Sequence, residues 1–166
     1  MPLLHADLLT LIAEVSAAFV GFSLIIGFLQ PDQEKARIRA RNMQSVAELG
    51  IIACFGALIV LVVNSFGVVP EVTWRAGGIA TAILWLSLHV YAVREMKRSR
   101  NTIGSSNVKY VVWLARSGII LLVLNTVFLP DYAGAVHVAG LFIALVASGM
   151  LFLISTFRLS SDESGN

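Results

Sequence analysis

Five ionisable side chains sit inside stretches of this sequence that are otherwise apolar: Glu14, Glu48, His89, Arg116 and His137. An ionisable group in a hydrocarbon layer is costly unless it faces protein, water or an opposite charge, so each is a functional hypothesis until a partner is named. Glu14 and His137 make the first candidate pair. A carboxyl and an imidazole in contact can pass a proton between them near neutral pH. The alternative for Glu14 is a neutral acid hydrogen-bonded to a helix or to another subunit. Glu48, His89 and Arg116 make the second group, at comparable depths on three other segments. Arg116, inside "WLARSGIIL", keeps its charge and so needs a counter-ion or must reach the surface along its own stem. Glu48 is the acid at the matching level. A Glu48–Arg116 bridge that fixes helix register is the expectation, with an ion or proton pathway through the polar layer as the alternative. His89 reads as a hydrogen-bonded interface residue.

Asn64 and Asn125 add a polar layer near the outer ends of the second and fourth apolar stretches. Helical phase sets Asn64 almost opposite Glu48, and Asn125 almost opposite Arg116. One central channel lined by all of these residues is therefore inconsistent with straight helices.

The elements that must position these groups follow from composition. Of 166 residues, 57% are hydrophobic and only 13% charged, and the mean hydropathy is +0.83, which sets the chain apart from ordinary soluble domains. The fold class is all-α, a polytopic transmembrane helix bundle. A span needs about 20 apolar residues to cross about 30 Å of hydrocarbon. Five stretches qualify: Leu8 to Leu29, Ser45 to Val69, Ala76 to Val93, Tyr110 to Leu129 and Gly134 to Phe157. "LPDYAG" separates the last two with proline, aspartate and glycine, a turn signal. Four spans, with one segment re-entrant, is the rival count.

Lysine and arginine set the threading, because short cytoplasmic loops are enriched in them. Lys35, Arg37, Arg39 and Arg41 fall in the first connection. Arg94, Lys97, Arg98, Arg100 and Lys109 fall in or beside the third, and Arg158 follows the last span. The second and fourth connections offer only Arg75, against Glu71 and Asp131. Five spans with the N-terminus outside and the C-terminus cytoplasmic put every basic cluster on one side; an even count would not. The formal charge of +2 then belongs to anionic lipid headgroups, touched by Lys35, Arg37, Arg39, Arg41, Lys97, Arg98 and Arg100, and not to nucleic acid. "MPLLHADLL" lacks the basic start of a cleaved signal, so the first helix is expected to stay.

Finer organisation is legible too. "QPDQEKARIRARNMQ" opens with proline and acids and meets no breaker, which predicts one long helix from about Pro31 to Phe66. "KRSRNTIGSSN" has loop chemistry. Residues 1–157 read as one transmembrane helical domain and 158–166 as a disordered cytoplasmic tail. Two stripes at steps of three and four predict protein-facing seams: Asp7, Thr10, Glu14, Ala17 and Gly21 in the first span, and His137, Ala144, Ser148 and Ser155, with Gly140 nearby, in the last.

No metal cluster is expected, because the three histidines are scattered and Cys54 stands alone, packing as a small hydrophobe. There is no phosphate-binding glycine loop and no glycine-flanked nucleophilic serine; "AGGIA" lies inside a span and reads as close packing. No cofactor and no enzymatic activity are expected. The chain looks like the small polytopic proteins of the bacterial inner membrane. Two functions fit it: a non-catalytic helical module that assembles with itself or with another membrane protein, or an oligomeric ion- or proton-conducting channel or transporter built around Glu14.

Overall fold

A computed structural model describes residues 5–28, 34–98, 117–118, 120–122, 124 and 132–163, with side chains described at 5–26, 43–91, 94, 117–118, 120–122, 124 and 132–154. The protein is all-helical, with five helices. They are α1 (Ala6–Phe28), α2 (Glu34–Ser65), α3 (Pro70–Arg98), α4, helical at residues 117–118, 120–122 and 124, and α5 (Ala133–Glu163). Among the described residues, three stretches are long and apolar enough to cross a membrane: Ala6–Ile26, Met43–Ser65 and Ala133–Ile154. That is compatible with a small membrane protein.

Local chemistry explains the ends. α2 closes on Gly67, whose φ of 72° suits a residue without Cβ, with the Gly67 amide donating to the Asn64 carbonyl at 3.0 Å. Pro70 then opens α3 at the position where a missing N–H costs nothing. The long second helix expected from the sequence is observed. One expectation is corrected: α3 runs to Arg98, so the third connection does not begin at Lys97. α5 runs from Ala133 through Arg158 to Glu163.

α2 is the hub, packed against α1, α3 and α5. Running directions follow from residue-level contacts. A Cβ built at Gly56 would meet Leu141 of α5 at 2.5 Å and Thr81 of α3 at 2.8 Å, and one at Gly77 of α3 would meet Val60 of α2. Position 56 thus opposes 81 and 60 opposes 77, so α2 and α3 are antiparallel. Ser148 Oγ donates to the Val46 carbonyl at 3.0 Å and His137 pairs with Gly56, so α2 and α5 are antiparallel as well. Gly118 lies against Trp85 and Ile143, and Gly140 against Leu122, which makes α4 antiparallel to α5. Only five residues separate α1 from α2; they bridge at most about 22 Å, well short of the roughly 35 Å rise of α1. A packed pair so joined is a hairpin. The helices therefore alternate in direction along the chain.

The core is a set of close approaches between small residues. Gly50, Ala53, Ala57 and Val60 share one buried side of α2, and Ala144, Ala147 and Ser148 line α5. Small residues let backbones meet where lipid competes equally well for apolar side chains. Cys54 is half-buried against this core, and Gly77 in "AGGIA" does pack closely. Large apolar side chains such as Phe22, Phe55, Ile83, Tyr91 and Phe142 point outward, the exterior a bilayer would solvate.

Candidate functional site

His137 is the most enclosed chemistry in the described structure. It sits one turn into α5, fully buried, between α2 and α3. Its Nε2–H donates to the Gly56 carbonyl at 3.2 Å. A carbonyl only accepts, so the proton of a neutral ring is on Nε2 and Nδ1 is a bare acceptor. That Nδ1 is buried with no hydrogen-bond partner. Trp74 covers the ring, with centroids 5.8 Å apart and planes at 53°, and lies against the backbone of Gly134, where a Cβ would come within 2.9 Å of its Cε2. Thr81, also fully buried, turns its hydroxyl back to the Gly77 carbonyl at 2.7 Å. The pocket wall is thus apolar or already satisfied.

The seam read from α5 is in place: His137, Gly140, Ala144 and Ser148 are all buried, while Ser155 lies outside the described side chains. The seam read from α1 is not where it was expected. Asp7, Thr10, Glu14, Ala17 and Gly21 are all exposed. The face that packs on α2 and α5 carries Leu9, Ile12, Ala13, Ser16 and Ser23. At about 100° per residue, Glu14 points directly away from Ile12, Ser16 and Ser23. Phe19, on the flank, meets Phe152 edge-on at 5.9 Å.

Glu14 and His137 therefore do not pair within the chain. Their depths do agree. Gly50 meets Ser16 and Val20, and Gly56, bonded to His137, lies about 9 Å further along α2. The same distance back along antiparallel α1 reaches residue 12, beside Glu14. What separates the two groups is azimuth: one faces the bundle and the other faces outward. A stripe of small and polar residues announces a protein contact without saying whose.

The remaining candidates divide between observed and undescribed positions. Glu48 is half-buried and accepts a hydrogen bond from Gln44 Nε2 at 3.0 Å. His89 is half-buried on α3 and Asn64 half-buried near the end of α2. Arg116 and Asn125, and with them the Glu48–Arg116 bridge, lie outside the described residues, as does Arg100. Lys35, Arg37, Arg39 and Arg41 fall on the first turns of α2, and Lys97 and Arg98 on the last turn of α3; their side chains are likewise outside the described set. Arg75 Nη2 and Glu71 Oε1 form an exposed pair at 2.9 Å.

Sequence reasoning missed Ser16 and Ser23. Both are buried on α1. Ser23 donates to the Val20 carbonyl at 2.8 Å, whereas Ser16 Oγ is buried with no partner. Polar groups on the true packing face of α1 were the available signal. Among the described residues, no group of three His, Cys, Asp or Glu is placed to hold a metal ion. No known protein family, curated protein or solved structure matches this chain.

Proposed function

We propose that this protein is an integral membrane module without catalytic chemistry of its own, which works by assembling with itself or with another membrane protein. It crosses the membrane five times, with its N-terminus outside and its C-terminus in the cytoplasm, in a bacterial inner membrane. Support for the threading comes from helix direction and charge together. α3 and α5 run the same way, so residues 99–132 return the chain to the end where α3 began. The ends of α2, α3 and α5 that carry Lys35 to Arg41, Arg94 to Arg98 and Arg158 then lie together, where anionic headgroups would meet them. At the other end Arg75 is paired with Glu71.

The observation that carries assembly is the outward face of α1. Glu14, in the middle of an apolar helix, is exposed and meets no partner among the described residues. Lipid supplies no hydrogen bond to a carboxyl at that depth, and a second protein does. A second reading, conduction of protons or cations, draws on the same residue, since a path through an outward-facing acid would run between subunits.

Proteoliposomes separate the two. Vesicles holding the purified protein are expected to keep an imposed proton or potassium gradient as well as empty vesicles do. A leak that Glu14→Gln abolishes, with folding unchanged, would replace the assembly reading with conduction.

A further inference from the structure

The exposed face of α1 has the same regularity as the packed faces of α2 and α5, where Met43, Val46, Gly50, Ala53, Ala57 and Val60 and, on α5, His137, Gly140, Ala144, Ala147 and Leu151 are all buried. Asp7, Thr10, Glu14, Ala17, Gly21 and Leu24 follow steps of three, four, three, four and three, and all six are exposed. That is the 3.5-residue period of a left-handed two-helix seam. Beside it runs a second exposed row, Leu11, Val15, Ala18, Phe22 and Ile25, of wholly apolar residues suited to lipid. Gly21 belongs to the first row, and nothing in its own chain asks for a glycine there. Gly50, Gly56 and Gly77 are each pressed by a neighbour, and Gly67 has a positive φ, whereas a Cβ at Gly21 would meet nothing within 4 Å.

Resting on the assembly reading above, we infer that the partner of this face is a second copy of the chain, joined α1 to α1 in parallel about a two-fold axis along the membrane normal. Every copy is inserted with the same orientation, so any rotation axis relating two copies must stand along that normal. Identical residues then meet at identical depth. An unrelated partner must happen to present a polar group at the level of Glu14; a second copy always does. The group itself is self-complementary. A neutral carboxyl both donates and accepts, so two Glu14 side chains satisfy each other without any further residue. Ala17 and Gly21, toward the inner end, let the two backbones close. Thr10 contributes its methyl group, since its hydroxyl already donates to the Ala6 carbonyl at 3.1 Å.

The test uses the full chain with Cys54→Ala as background and one new cysteine at a time, in native membranes under mild oxidation. Ala17→Cys and Gly21→Cys are expected to form a disulfide-linked dimer, and Phe22→Cys, about 140° from position 17 around the helix, is expected not to. In bilayers of decreasing protein-to-lipid ratio, Glu14→Leu should lower the dimer-to-monomer ratio about tenfold, the equivalent of one interhelical hydrogen bond. Glu14→Gln, which still donates and accepts, should stay within about threefold of the wild type. Neither change touches a contact inside the chain, so the melting of the monomer should not move. Equal cross-linking at positions 17 and 22, or a ratio indifferent to Glu14→Leu, overturns the seam. A chain that stays monomeric at every dilution overturns it too, and leaves assembly with a different membrane protein standing. Dimers in vesicles that leak through Glu14 uphold the seam and remove the non-conducting reading.

Discussion

Gly56→Ala adds one methyl group at the busiest crossing in the bundle. The new Cβ would lie 2.5 Å from Leu141 Cδ2, 2.8 Å from Thr81 Cγ2 and 3.0 Å from Thr81 Oγ1. Carbon atoms rest about 3.5 to 4.0 Å apart, so the nearest contact is short by about 1 Å. Neither neighbour has an easy retreat. Leu141 and Thr81 are fully buried, and Thr81 is held by its hydroxyl to Gly77. Forced into a packed core, an extra methyl costs about 1 to 3 kcal/mol. Alanine's helix propensity, about 1 kcal/mol better than glycine's, offsets little, because the separated helices in micelle or bilayer are already helical. Unfolding of the purified protein by increasing sodium dodecyl sulfate, followed by tryptophan fluorescence, should show a loss of about 1 to 3 kcal/mol. Gly21→Ala, which enters open space, should stay within about 0.5 kcal/mol of the wild type. Leu141→Ala removes the clashing methyl, so in that background Gly56→Ala should cost at least about 0.5 kcal/mol less than it does alone. A Gly56→Ala protein as stable as the wild type, or strictly additive losses in the double mutant, would refute the contact geometry.

Three further outcomes follow from the same geometry. Ser148→Ala deletes the donor to the Val46 carbonyl while that carbonyl keeps its place in α2, so the same titration should register a loss of about 0.6 to 1.7 kcal/mol; no loss would mean that bond is not made. His137→Leu removes one hydrogen bond and one buried acceptor that has no donor, two effects of opposite sign and of about 1 to 2 kcal/mol each, so stability should change by less than about 1 kcal/mol; a much larger loss would show that Nδ1 has an unseen partner. A cytoplasm-dependent reporter fused after Asn166 should be active and the same reporter ahead of Leu8 silent, and the reverse pattern would invert the threading.

The helices were legible because hydropathy and breakers are local properties. The unbroken run from Glu34 to Ser65 could be read directly, whereas the start of α3 at Pro70 was read as part of a connection that held Glu71 and Arg75. The α5 seam was legible as well, since His137, Gly140, Ala144 and Ser148 combine smallness, polarity and helical spacing. The α1 face used the same signal and was assigned to the wrong neighbour. In water, burial would have been read from an apolar stripe, but here lipid is as apolar as the core, and Leu9 and Leu11 look alike although one is buried and the other is not. His137 was singled out, yet its partner is a backbone carbonyl, and carbonyls leave no mark in a sequence. Gly56 was passed over for the same reason, since its role depends on Leu141 and Thr81, far away along the chain.

The placement of α2 at the hub also orders events during synthesis. α1 can close on Gly50 as soon as α2 is inserted, and α3 can reach Gly77 and Val60 shortly afterwards. The surface formed by Val46 and the carbonyl of Gly56 must wait for Ser148 and His137, which lie on α5, delivered after the other four helices. Until then a groove of small residues remains open to lipid in the nascent chain, available to an insertase or a membrane protease. A chain ended before Ala133 keeps that groove permanently, and pulse-labelling should find it cleared faster than the full-length protein; equal half-lives would show that α5 is not the closing piece. The core is thus completed only when α5 is inserted, and that helix acts as a quality check on everything threaded before it.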